Sequence, residues 1–319
     1  MKFGLHSVNL HTCGHPDTAA RLARAAEAAG FESLWVADHV VLPDPPVPGR
    51  PMAPDMRLLD PIVSLTFLAA HTSRIRLGTG VIILPQRQAV VLAKQLASLD
   101  VMVRAWTEAP LVHDGKFYRL RLPALRPRPR QQPHPPIWRS ASSAGSIREY
   151  GRLGAPILMA RIPLARVPER LALYETGLDE SGLDARRRHE LREQAALWRF
   201  VHVAESQAQA EDELTTALLE TRRHMVHARE ANNPPDFYVE ASRVNPWNDP
   251  RVSHEDGVRY SLKTSTLYGT PQRVAEQVAE VRDAGVRHVL CQISYGYLPH
   301  QTIVDSMRRF GELVLPRFR

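Results

Sequence analysis

Five short stretches carry the residue types that do chemistry. His39 directly follows an apolar run, Ser33-Leu-Trp-Val-Ala37, and is preceded by Asp38. An imidazole at the end of a strand exchanges protons near neutral pH and donates hydrogen bonds to a ligand oxygen. The same side chain also serves simply to cap a strand or bond a loop carbonyl. Gly78-Thr79-Gly80, followed by Val81, lies inside a β-branched and leucine-rich run, where glycine weakens a strand unless something must approach the backbone closely. Ser140-Ala-Ser142-Ser143-Ala-Gly-Ser146 is a small-residue turn ahead of a helical segment. The free amides and hydroxyls of such a turn make an anion site, or else an ordinary serine cap. His11-Thr-Cys-Gly-His15 has metal-binding side chains, but its spacing matches no established zinc pattern, and no metal is expected. Asn9 precedes this loop, and Ser294-Tyr295-Gly-Tyr297 follows the last apolar run, where its aromatic rings are placed to meet a ligand.

The elements that position these groups alternate. The pattern predicts a strand over Phe3 to Leu10, then an Ala-rich helix capped by Asp17 and stopped at Gly30. After the strand ending at Ala37 comes a loop broken by six prolines between Pro43 and Pro54, and Asp60-Pro61 starts a helix. A long strand is expected from Ile75 to Leu84, with a helix from near Gln88. Later strands are expected behind Ile137-Trp138, at Ile157 to Ala160, at Leu197 to Val203 and at Val286 to Ile293. Thr270-Pro271 opens a helix that stops at Gly285, and a closing helix covers Gln301 to Leu315. Strands apolar on both faces and separated by helices imply a covered parallel sheet, closed as a barrel or, second, open and doubly wound. The polar stretch from about 221 to 261 fits no βα unit and reads as an insertion within a single domain spanning 1–319.

Composition narrows the class. With 319 residues, 44% hydrophobic and 24% charged, the chain has material for a sizeable core. The net charge of +7 is spread through helices, with one dense run at Arg126-Pro-Arg-Pro-Arg130, and no nucleic-acid motif accompanies it. A basic pocket for an anionic cofactor accounts for the same charge. No apolar run approaches the roughly 18 residues of a membrane span, and the first residues lack a secretory pattern. A cytoplasmic protein without membrane contact is expected. Its two cysteines, Cys13 and Cys291, are far apart and are expected to be unpaired thiols.

Taken together, several stretches resemble the luciferase-like monooxygenases. They are Ala25-Ala-Glu-Ala-Ala-Gly-Phe-Glu-Ser-Leu-Trp-Val-Ala-Asp-His39, Ser73-Arg-Ile-Arg-Leu-Gly-Thr-Gly-Val-Ile-Ile-Leu-Pro85 and Leu92-Ala-Lys-Gln-Leu-Ala-Ser-Leu-Asp100. Pro133-His-Pro-Pro-Ile-Trp138 and Tyr268-Gly-Thr-Pro271 with Asp283-Ala-Gly285 follow in the same order. The resemblance implies a TIM-type (β/α) barrel, commonly paired into homodimers, with FMN or the deazaflavin coenzyme F420 at the carboxyl ends of the strands. It implies His39 as the active-site histidine, with Asp38, Gly78, Thr79, Gly80 and Val81 beside the flavin ring and a cis peptide at Gly80-Val81. Ser140, Ser142 and Ser143 would meet the cofactor phosphate; relatives usually carry glycines where this chain has Ser140 and Ala141, and Arg139 replaces an apolar residue. Asn9, His11 and Tyr295 would line the pocket for a small-molecule substrate.

One departure stands out. The stretch resembling the family's third helix runs at Asp100 directly into Val101-Met-Val-Arg-Ala-Trp-Thr-Glu108, which looks like the end of the fourth. The fourth strand and most of the fourth helix are therefore expected to be lost, and the two helix fragments to fuse over Gln88 to Glu108. The expected activity is that of a flavin- or deazaflavin-dependent oxidoreductase on a small organic substrate. Its rivals are a flavin-binding protein without turnover and a degenerate relative.

Overall fold

The computed structural model describes residues 1–40, 42, 56–87, 92, 110–114, 119–122, 136–232, 246, 247, 249, 251–295 and 298–319. The chain opens with β1 (Lys2–His6), a 3-10 turn, α1 (Pro16–Ala29) and β2 (Ser33–Val36). Next come α2 (Pro61–Ala69), β3 (Arg76–Thr79), β4 (Leu111–Asp114) and β5 (Arg119–Leu122). The second half holds β6 (Arg139–Ala141), α3 (Ala144–Arg152), β7 (Ile157–Met159), α4 (Val167–Asp179), α5 (Ala185–Gln194), β8 (Ala196–Val203) and α6 (Gln207–Asn232). It ends with α7 (His254–Ser265), β9 (Thr266–Gly269), α8 (Pro271–Asp283), β10 (His288–Gln292) and α9 (His300–Arg309).

All strands but β4 and β5 join one parallel sheet in the order β3-β2-β1-β10-β8-β7-β6, with β9 added to the later part of β8. The sheet curls. Trp35 of β2 meets Trp138, which leads β6, with ring centroids 5.6 Å apart, and Trp138 meets His288 of β10 at 5.3 Å. Strands far apart in the sheet order thus face each other across a common interior, as in a barrel. The outward face is buried under helices: Phe3 packs edge-on against Phe310 at 5.4 Å. The outer strands of the curl are β3 and β6, the pair that flanks the expected loss. Between them the described residues supply only the antiparallel pair β4–β5, in a sheet of its own. The fused helix expected over 88–108 lies outside the described residues, apart from the helical and buried Leu92.

Several boundaries differ from expectation for local reasons. The first strand ends at His6 rather than Leu10 because Ser7 turns to φ 66°. α1 is entered through His15 and Pro16, not capped by Asp17, and Gly30 closes it at φ 86°. β3 stops at Thr79, not Leu84, where the peptide between Gly80 and Val81 is cis, the form the family resemblance implies. Asp60 and Thr270 cap their helices through side-chain oxygens as expected, and Ser143, for which a phosphate contact was expected and a cap was the alternative, caps α3. The described ends of the 221–261 segment are helical, in α6 and α7. The buried Arg222 ties them together, its Nη2 donating to the carbonyls of Pro246, Asp249 and Val252 at 3.1, 2.8 and 2.9 Å.

Candidate active site at the carboxyl rim

In a parallel barrel all strands end on one rim, and side chains there converge. At the end of β1, His6 is held on both ring nitrogens. Nε2 lies 2.6 Å from the Gly80 carbonyl and Nδ1 lies 2.7 Å from the Ser7 hydroxyl. The carbonyl only accepts, so Nε2 carries the hydrogen and Nδ1 accepts from Ser7. Burial pushes the imidazole pKa down to about 4, the Gly80 bond opposing this in part. His6 is therefore a neutral strut between β1 and β3. It also accounts for a glycine: a Cβ at Gly80 would lie 2.9 Å from His6 Nε2, and one at Gly78 3.0 Å from the Trp35 ring. Thr79 is half-buried, and Val81 is exposed at the open end of the strand.

Asp38, just past β2, is buried and engaged at both oxygens. Arg87 Nε and the Ile83 amide donate to Oδ2, each at 2.9 Å, and Arg87 Nη2 reaches Oδ1 at 2.5 Å. Arg87 also reaches Asp60 at 3.0 Å, and these carboxylates raise its pKa further. The Asp38 carboxylate thus fixes the turn after β3, and a cofactor would meet the backbone it orders. Asn9 is similarly committed. Its amide donates to the carbonyls of Ala37 and Leu59 at 2.9 and 2.8 Å and accepts from the Ala37 amide at 2.8 Å. Both amide hydrogens of Asn9, a residue expected to meet substrate, are thus taken by backbone, and the residue clamps the turn after β1 to the end of β2. His39 is half-buried directly beyond this clamp. His11 sits at φ 50°, its amide bonded to the Arg57 carbonyl at 3.0 Å and its imidazole pKa lowered by burial.

The end of β6 is built differently. Ser140, Ser142 and Ser143 are exposed, and α3 begins immediately after them. Ser143 accepts from the Ser146 amide at 3.2 Å, so it acts as a cap, while a Cβ built on Gly145 would meet nothing within 4 Å. Arg139 turns away from this rim and lies over the Tyr150 ring of α3 at 5.9 Å. Tyr295, past β10, is buried against Phe200 at 4.9 Å, its phenol pushed far up by burial and its hydroxyl without a partner among the described residues. Tyr297 lies outside the described residues. Cys13 and Cys291 are buried thiols, raised by burial, Cys13 to about 11. Among the described residues no three His, Cys, Asp or Glu side chains form a metal-sized group.

His6 and Arg87 were absent from the sequence-based site. A histidine inside an expected strand, and an arginine in a turn, carry no signal until the strand ends are known.

The profile of the luciferase-like monooxygenases matches residues 1–104 and 98–288. The chain belongs to the luciferase-like monooxygenase family. The two matched pieces meet near residue 100, where the sequence departs from the family's pattern. Among solved structures of this fold, monooxygenase RslO1 from Streptomyces bottropensis superposes with a TM-score of 0.74 at 21% identity, covering 100% of both chains. The coenzyme F420-dependent tetrahydromethanopterin reductase of Methanopyrus kandleri gives 0.69 at 16% identity, over 100% of this chain and 99% of that one. An uncharacterized Mycobacterium tuberculosis protein is 40% identical over 99 residues, 28% of this chain and 35% of its own length. The chain thus spans about a third of the length of the curated relatives it matches first. The flavin-dependent trigonelline monooxygenase oxygenase component of Acinetobacter baylyi is 23% identical over 41% of this chain and 44% of its own length. Among the described residues no helix is long and apolar enough to cross a membrane.

Proposed function

We propose that this luciferase-like chain is a flavin- or deazaflavin-dependent oxidoreductase, of the monooxygenase type, acting on a small organic substrate. The observation that carries the reading is the contrast within one rim. Over β1–β3 Gly78 and Gly80 carry no side chain, Trp35 and His6 pack where their Cβ atoms would stand, and Asp38 holds the turn beyond them. Over β6 the first turn of α3 is open at Ser142 and Gly145. A planar ring needs the first surface, and a phosphate needs the second. The residues present fit FMN or coenzyme F420 in both respects, and relatives of either kind share the fold.

Bound there, the cofactor supplies hydride transfer or, when reduced, reaction with oxygen. The protein's own part is to hold the ring on the Gly78–Val81 backbone and the phosphate on the Ser142–Gly145 turn. His39 handles a proton at its ring nitrogen, and Tyr295 and Phe200 wall the substrate space. The enzyme is expected to work as a cytoplasmic homodimer. A flavin-binding protein without turnover is the second reading, favoured by the unpaired edges of β3 and β6 among the described residues.

Titration of the purified chain with FMN and with coenzyme F420, read by fluorescence and followed by turnover, decides between them. Binding with turnover supports the enzyme, and binding alone supports the second reading. No binding of either at micromolar concentration removes both. Unchanged turnover in His39→Ala would remove the proton role.

A further inference from the structure

Arg199 is fully buried near the middle of β8, on the face opposite Trp198 and Phe200 by strand alternation. Its guanidinium donates to two backbone carbonyls, Trp198 at 2.9 Å and Ile162 at 2.7 Å. No carboxylate of the described residues lies within ion-pair distance of it. A buried arginine normally has such a partner, because an isolated charge is costly to take from water. Burial alone lowers its pKa to about 9, so the group keeps its charge at neutral pH.

Arg199 does not end in solid core. It lines a cavity of about 350 Å³ bounded by β9, α7, α8 and the turn at Leu164. That volume is in the range of small-molecule sites. Arg259, Lys263 and Arg273 stand around the same cavity. Arg259 is paired with Asp256 and Arg273 with Glu276, whereas Lys263 makes no ion pair with any described residue. Two carboxylates, Glu211 and Glu280, also line it, Glu280 lying 4.0 Å from Arg273, so that Arg199 and Lys263 are the lining cations outside an ion pair with any described residue. Leu164, Leu262, Leu267 and Val281 supply apolar wall. None of the rim residues assigned above to the cofactor belongs to this cavity.

We propose that this cavity is a second ligand site, on the helix side of the sheet, for a small organic anion. Its carboxylate or phosphate head lies against Arg199, and its apolar body rests on the leucine wall. The fork of a guanidinium fits either head in a two-point contact. Lys263 adds charge at the mouth.

The test uses the full-length protein with benzoate, phenyl phosphate and the neutral benzyl alcohol, each titrated by calorimetry. At least one of the two anions is expected to bind, with benzyl alcohol at least tenfold weaker; which anion binds identifies the head group. Arg199→Met is expected to weaken that anion by about tenfold or more. Because a buried substitution also risks the fold, the exposed Lys263→Glu provides an independent arm, with an expected loss of about threefold. Binding of benzyl alcohol as tight as that of the anions overturns the proposal. So does anion binding left unchanged by Lys263→Glu, or by a folded Arg199→Met, and so does the absence of binding by both anions.

Discussion

Over β1–β3 the polar side chains of the rim bond to backbone and to one another, whereas over β6 they face outward. Asn9 makes three bonds to backbone, Asp38 takes Arg87 and the Ile83 amide, and His6 spans Ser7 and Gly80. Ser140 and Ser142 are exposed, and Gly145 borders open space. The first rim is a scaffold whose side chains fix the course of the backbone. The second is a surface whose amides and hydroxyls are available. Sites are most accurate where supporting groups are themselves held, so the difference assigns shape to one side and contact to the other.

Breaking the scaffold should cost most at Asp38, whose side chain is 0% exposed beside an Arg87 that is 12% exposed. Asp38→Asn leaves that arginine with only the outer Asp60, and the loss should be about 3–5 kcal/mol of folding stability. Asp60→Asn, at a carboxylate 42% exposed that also caps α2, should cost under about 1 kcal/mol. Urea midpoints of the two variants check the ratio, and equal losses would mean that the Asp38 pair is no brace.

Acid should come next, acting on His6 at this rim and on His288 at the start of β10. The folded-state pKa values of His6 and His288 both lie at about 4, below the ordinary 6.5. The unfolded chain therefore binds protons that the folded one refuses. The resulting stability is full above about pH 6.5 and declines as pH falls towards 4, by at most about 3 kcal/mol for each histidine. Urea midpoints from pH 7.5 to 4.5 should fall accordingly, and His6→Gln should flatten part of the slope. Asn9→Ala comes third, leaving the Ala37 amide and two carbonyls without their partner, at about 2 kcal/mol. The measurement is again the urea midpoint, with cofactor affinity read in parallel.

The sequence made local features easier to read than the scaffold that joins them. Helix starts at Asp60-Pro61 and Thr270-Pro271 are local chemistry, and both caps form as expected. Gly78 and Gly80 stand out because glycine inside a strand is conspicuous. The roles of Asn9, Asp38 and His6 depend on where strands end. Those ends are set by Ser7 and by the turn after Thr79, where hydrophobic periodicity continues but the strand does not. The short strands β4, β5 and β9 and the polar helix α5 escaped for a related reason. Four residues carry too little periodicity to register, and α5 has one buried residue, Leu191. Arg199 was hidden altogether, since nothing in an apolar strand pattern tells a paired buried arginine from one without a carboxylate.

The finest test of the contrast is Ser143→Ala, on the contact side. Ser143 both caps α3 and borders the open turn, so removing its hydroxyl frees the Ser146 amide. If it serves only as a cap, stability falls by about 1 kcal/mol and cofactor affinity is unchanged. If the turn receives a phosphate, cofactor affinity falls as well, while riboflavin, which has the ring and no phosphate, binds as before. Measuring FMN and riboflavin side by side separates the two. A loss confined to FMN places the phosphate at the end of β6, and an equal loss for both would make the turn part of the scaffold, erasing the distinction between the two rims.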